Sequence, residues 1–114
     1  MHELSIAMSI LDVADEEAQK YGNVRVRGIH LKLGPLSGVI EGPLRGAFEI
    51  ARESSRFPDV ELFVEAVPLL IDCPLCRATR SVASLQQLCC SECGTFTSDL
   101  VGGRELEVVA LEIE

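Results

Sequence analysis

Apolar residues recur every three to four positions at the start of the chain, at Leu4, Ala7, Met8, Ile10, Leu11, Ala14 and Ala18. Asp12, Asp15, Glu16, Gln19 and Lys20 fall largely on the other faces. This spacing predicts an amphipathic helix over residues 4–21, because side chains three and four apart share one face of a helix. Gly22 stands where a glycine cap closes such a helix, and Asn23 follows as a turn residue.

The period then drops to two. Val24 and Val26 share one face, and after Gly28 the apolar positions are Ile29, Leu31 and Leu33, so the phase changes at a glycine and predicts a β-bulge. Gly34, Pro35 and Gly38 break the strand. Pro43 fits the first position of a second helix carrying Leu44, Ala47, Phe48 and Ala51 and ending near Ser54. Val60, Leu62, Val64 and Ala66 alternate with polar or larger residues in a second strand that stops at Pro68. After Gly102-Gly103 comes a third strand. In it Leu106 and Val108 face one way, and Val109, Leu111 and Ile113 continue after another slip in phase. A lone strand is not stable and residues 69–104 offer it little apolar face, so it returns to the sheet of the first part. The reading is an α+β chain in which residues 1–68 and 105–114 make one domain and residues 69–104 are inserted into it, with Pro68 to Asp72 as a short linker.

The inserted segment carries the strongest chemical signal. Cys73-Pro-Leu-Cys76 is followed by thirteen residues and then Cys90-Ser-Glu-Cys93, two turns that each aim a pair of thiolates at one ion. Zinc suits four sulfurs in a closed tetrahedral site of structural role; iron in a rubredoxin-like redox site is the other occupant of such a set. A disulfide framework requires an oxidising compartment and leaves one of the five cysteines over. Gly94 permits the tight turn after Cys93, and Cys89 would need a three-residue gap. The expected zinc ligands are therefore Cys73, Cys76, Cys90 and Cys93, with Cys89 a spare thiol.

Charge narrows the class. The formal net charge is −8 over 114 residues, which repels nucleic-acid backbones, and the cysteine segment balances 3 basic against 3 acidic residues before its thiolates are counted. No stretch is long enough to span a membrane. The first residues lack the basic start of a secretory signal, so the expected location is the cytoplasm, with reduced thiols. No phosphate loop and no arranged nucleophile-base set appears, and the chain reads as a protein that is not an enzyme.

Two histidines remain. The imidazole and backbone nitrogen of His2 and the amine of Met1 can chelate one ion, with the amide of Glu3 completing a plane that suits Ni(II) or Cu(II). A frayed, solvated terminus is the plainer alternative. His30 shares a strand face with Arg25, Arg27 and Lys32, a surface unsuited to a cation, and reads as structural or solvated.

Taken together, Met1-His2-Glu3-Leu4-Ser5, the segment Leu31 to Val39, the Phe48 helix, the cysteines at 73, 76, 90 and 93, and the closing Gly103 to Ile113 resemble the HypA/HybF family of hydrogenase nickel-insertion proteins. The resemblance covers essentially the whole chain. It implies a small three-stranded mixed sheet with two helices bearing a nickel site, plus a four-cysteine zinc ribbon. It further implies a metallochaperone that binds Ni2+ as cargo through His2, the amide of Glu3 and the Met1 amine and keeps Zn2+ as a structural ion. The partners so implied are the GTPase HypB and the large subunit of [NiFe]-hydrogenase, with a urease link in some organisms; a homodimer is left open. Some members add a histidine from the ribbon, but Arg77 to Cys89 contain none, so a fourth nickel donor comes from the amine, water, Glu3 or another chain. The alternative function is a zinc-ribbon interaction adaptor without nickel.

Overall fold

The computed structural model describes residues 3–114. Along them run α1 (Glu3–Lys20), β1 (Val26–Leu33), α2 (Glu41–Arg52), β2 (Glu61–Ala66), β3 (Leu69–Cys73), β4 (Ala78–Val82), β5 (Leu100–Gly102) and β6 (Leu106–Ile113). The strands form two sheets of three, ordered β2-β1-β6 and β4-β3-β5. In the first, β1 pairs parallel with β2 and antiparallel with β6, so the last strand of the chain completes a mixed sheet.

Helix α1 buries Ile6, Ala7, Ile10, Leu11, Ala14 and Ala18. Leu4 and Met8, expected on the buried stripe, are 45% and 54% exposed. They flank the positions that β1 and α2 cover, and a three-stranded sheet is too narrow to reach them. The helix closes with two backbone bonds, Gly22 N–H to Gln19 O at 3.3 Å and Asn23 N–H to Ala18 O at 2.9 Å, while Gly22 takes φ 84°. That pairing is a Schellman cap, and it needs the left-handed residue that glycine supplies.

Helix α2 begins two residues before Pro43, with Ile40 at the cap position and the first helical bond from Leu44 N–H to Ile40 O. Pro43 is thus third in the helix; its missing N–H costs nothing, because the first turn has no intrahelical acceptors for its amides. Leu44 and Phe48 face inward. Arg45 and Arg52 donate to the carbonyls of Leu62 and Val60, both at 2.9 Å, and so fasten the helix to β2. The single core cluster joins α1, β1, α2 and β2, with Ile29, Leu31, Leu44 and Phe48 at its centre and Val108 and Leu111 of β6 packed against it. Each such side chain contributes roughly 1.5–3 kcal/mol relative to exposure.

Both phase slips in the sequence are bulges in the β1–β6 ladder. One register shift lies between Val26 and Gly28, where Arg27 is the extra residue; the other lies between His30 and Leu31, opposite the extra residue Val109. Gly28 leaves room at the first, since a β-carbon there would sit 2.9 Å from both the Phe63 ring and the Glu112 carboxylate and would push them aside. On the same open face His30 stacks on Phe63 with ring centroids 4.7 Å apart, and its Nε2 lies 3.0 Å from Glu112 Oε1.

Residues 69–73, expected within a linker and the start of the cysteine segment, form β3, the central strand of the second sheet. Leu69 and Ile71 are its buried aliphatic residues. The two sheets meet through short backbone bonds: Gly34 N–H to Glu105 O at 2.8 Å and Leu36 N–H to Gly103 O at 2.7 Å. The Glu105 carboxylate also accepts the Gly103 N–H at 2.7 Å.

Candidate metal centre

Each Cys-x2-Cys turn is closed by the same backbone device. Arg77 N–H donates to Cys73 O at 2.8 Å, and Gly94 N–H donates to Cys90 O at 2.9 Å. The residue after each pair is left-handed, Gly94 at φ 76° and Arg77 at φ 52°. Glycine predicted the second turn; the first adopts the same shape with a β-carbon present. Within the turns, amide hydrogens point at sulfur: Cys76 N–H to Cys73 Sγ and Glu92 N–H to Cys90 Sγ, both at 3.4 Å.

These turns bring four sulfurs together. The Sγ atoms of Cys73, Cys76, Cys90 and Cys93 all lie within 4.8 Å of one another, and among the described residues they are the one convergent group of metal-donor side chains. Cys73 and Cys93 are 3.6 Å apart and Cys76 and Cys90 are 3.9 Å apart. A metal–sulfur bond of about 2.3 Å in a regular tetrahedron gives sulfur–sulfur edges of about 3.8 Å. The two closest sulfur pairs stand at that spacing, and the donor set suits a tetrahedral ion. Cys73 and Cys90 are buried, Cys76 is half-buried and Cys93 is exposed, so the centre lies at the surface end of the second sheet. Cys89 stands outside the group, pairing through its backbone with Phe96 in an isolated bridge.

Four thiols in contact do not titrate alike. The amides of Cys93 and Glu92 hold the Cys90 thiolate and lower its pKa to about 6. The hydroxyl of Thr95, 3.0 Å from Cys93 Sγ, lowers that thiol as well. Cys76 is pushed up to about 12, chiefly by its hydrogen bond with Cys93. The arrangement thus keeps some sulfurs ready to bind while others release protons to an incoming ion. Arg80 of β4 adds compensating charge: the nearby Cys76 and Cys90 sulfurs raise the pKa of its guanidinium, and its Nε is buried without a hydrogen-bond partner. Nothing in the sequence marks Arg80, because β4 carries no motif and its inward face is set only by pairing with β3.

The other expected ligands lie elsewhere. Glu3 is the first residue of α1, and Met1 and His2 lie outside the described residues. His30 belongs to the first sheet and is held by Glu112 and Phe63, as a structural histidine.

Two helices on a small mixed sheet, with a second sheet bearing a four-cysteine centre, define an α+β metal-binding protein built from two interlocked parts. The family model described as "Hydrogenase/urease nickel incorporation, metallochaperone, hypA" matches residues 1–113, and the chain belongs to that HypA family. It is 40% identical over 114 residues to the hydrogenase maturation factor HypA of Roseiflexus sp. (strain RS-1), covering 100% of this chain and 93% of the relative. It is 36% identical to that of Chlorobaculum parvum, covering 100% of both. Its fold is similar to the solution structure of the Ni metallochaperone HypA from Helicobacter pylori, with TM-score 0.69 at 24% identity over 99% of this chain and 97% of the other. A second HypA solution structure gives 0.72 at 23%, covering 100% and 97%. Among the described residues no helix is long and apolar enough to cross a membrane.

Proposed function

We propose that this chain is a nickel carrier for [NiFe]-hydrogenase maturation, taking up Ni(II) at Met1, His2 and Glu3 while the four cysteines hold a structural Zn(II). The observation that carries this reading is the family match, which begins at residue 1 and so includes Met1-His2-Glu3. The start of α1 at Glu3 supports it. The amide of Glu3 belongs to the first turn, where N–H groups have no intrahelical acceptor, so a metal can displace its proton without breaking a helical bond. A helix N-terminus also favours the resulting anionic nitrogen.

The zinc centre supports the same reading through its closure: four sulfurs at tetrahedral spacing leave no open position for chemistry. In this division of labour, residues 1–68 and 105–114 form the nickel-binding domain and residues 69–104 the zinc ribbon. The role is delivery rather than catalysis, in the cytoplasm, where the thiols stay reduced. The family resemblance supplies the recipients: the GTPase HypB and the hydrogenase large subunit, with urease as a second destination.

The test is calorimetric titration of Ni(II) into untagged, zinc-loaded protein, wild type against His2→Ala. Stoichiometric binding that vanishes in the variant is the expected result. Equal binding in both, or none in either, leaves a zinc-ribbon adaptor without nickel function.

A further inference from the structure

The first sheet ends at β6. That strand pairs with β1 on one side only, and among the described residues its other edge has no neighbour. Its eight residues, Leu106–Ile113, make it the longer of the two edge strands, β2 having six. Natural edges are blunted by charged residues, proline, bulges or a covering element; β6 has Glu107 and Glu112 on its open face and one bulge at Val109, but no proline or lysine.

Beside this edge runs an apolar trough. Helix α1 overhangs β6 and leaves two adjoining depressions of about 350 and 490 Å3, both bordered by Val13 and Val108. Ile6, Ile10 and Leu106 line the first; Tyr21, Leu111 and Ile113 line the second. Val13, Tyr21 and Ile113 are 42%, 70% and 51% exposed. Between them the two depressions are lined by β6 residues from Leu106 to Ile113.

The register sorts β6 into two faces. Leu106, Val108, Leu111 and Ile113 pair with the inward residues Leu33, Leu31, Ile29 and Val26, whereas Glu107 and Glu112 pair with Lys32 and Gly28 on the open face. From Glu105 to the end the chain has four acids and no base. A second copy docked antiparallel about the Val109–Ala110 midpoint would set Glu107 against Glu112 across the new ladder, and like charges directly opposite are destabilising.

We infer that the β6 edge is a docking site for an extended segment of another protein, one that alternates apolar residues toward α1 with lysine or arginine toward Glu107 and Glu112. The added strand satisfies the free backbone groups of β6, its apolar side chains fill the trough under Val13, and its basic side chains meet the carboxylates. The proposal does not depend on the nickel reading.

The probe is a synthetic eight-residue peptide alternating valine and lysine, added to isotope-labelled, zinc-loaded full-length protein and followed by amide NMR. The expected result is a saturable shift of the amides of residues 106–113, with at least tenfold weaker binding to Val13→Lys and to Glu107→Lys. Val13 and Glu107 are exposed, and amides outside β6 and its neighbours at their wild-type positions show that each variant is folded; because Glu107→Lys also faces Lys32, Glu107→Gln is measured beside it. A peptide alternating valine and glutamate leaves the β6 amides unmoved. The inference is overturned if the valine–lysine peptide moves no β6 amide, or binds both variants as well as wild type. It is equally overturned if the β6 amides shift with protein concentration alone, which assigns the edge to a second copy of this chain.

Discussion

Gly34, just past β1, lies so close to Gly103, just past β5, that a β-carbon on Gly34 would overlap the Gly103 carbonyl. The contact brings together the loop after β1 and the point where the chain leaves the second sheet. Two backbone bonds, Gly34 N–H to Glu105 O and Leu36 N–H to Gly103 O, depend on that closeness. Gly34→Ala is expected to lower stability by about 1–3 kcal/mol, the usual cost of forcing an extra carbon into a packed contact. Denaturant unfolding of the zinc-loaded protein measures it. Wild-type stability in the variant would show that the junction yields freely.

Glu105 makes the same junction sensitive to acid. Its carboxylate accepts its own amide and that of Gly103, and these bonds hold its pKa below the usual carboxylate value of 4.5. A lowered acid stabilises the fold at pH above its ordinary pKa, and that contribution fades as pH falls through the lowered value. Wild type should therefore exceed Glu105→Gln in stability at pH 7, with the gap narrowing below about pH 4.5. Comparing the two proteins at matched pH cancels the loss of metal that both suffer in acid. A gap that stays constant with pH contradicts the assignment.

Arg80 is expected to tighten the metal centre without touching the ion. Four thiolates around a divalent ion carry excess negative charge, and the Arg80 guanidinium, whose pKa the Cys76 and Cys90 sulfurs raise, offsets part of it. Arg80→Met keeps the apolar stem and removes the charge, so zinc affinity should fall about 10–100-fold, as it does when outer partners of metal ligands are lost. Competition with a chromophoric chelator reads the change. Unaltered affinity would make Arg80 a bystander.

Metal removal should melt only part of the molecule. The core cluster lies in α1, β1, α2 and β2, with β6 packed on it, whereas the second sheet buries only Leu69 and Ile71 among its aliphatic residues. Ligation supplies most of the folding energy in small modules of this kind, about 10–16 kcal/mol for zinc-finger peptides. After chelation, amide hydrogen exchange should accelerate across residues 69–102 and stay slow in β1 and α2. Uniform acceleration would mean that the first sheet cannot stand without the metal.

Much of this architecture was legible in the sequence because its signals are local. A glycine at the end of a period-3.6 run became the α1 cap, and two changes of phase in period-2 runs became the bulges at Arg27 and Val109. The cysteine spacing picked out the four sulfurs that converge and left Cys89 aside. What the sequence did not disclose depends on tertiary neighbours. Leu4 and Met8 continue the apolar stripe, yet whether they are covered is decided by the width of the sheet beneath. Arg77 takes a left-handed backbone because the Cys73–Cys76 turn demands it, although arginine has no such preference. Arg80 reaches the sulfurs through strand pairing, and Glu105 acts through amides of its own loop. None of these roles leaves a periodic or compositional trace.

The position of β6 also orders events at the ribosome. Strand β1 is the middle of its sheet, and while its parallel neighbour β2 emerges early, its antiparallel neighbour β6 emerges only after the whole second sheet. Leu31 and Leu33 wait for Val108 and Leu106 until every cysteine has left the exit tunnel. A nascent chain that captures its ion first draws residues 69–102 into a compact unit, which shortens the excursion that β6 must close to reach β1. The ion held by the second sheet thus bears on how soon the first sheet closes its open, apolar side.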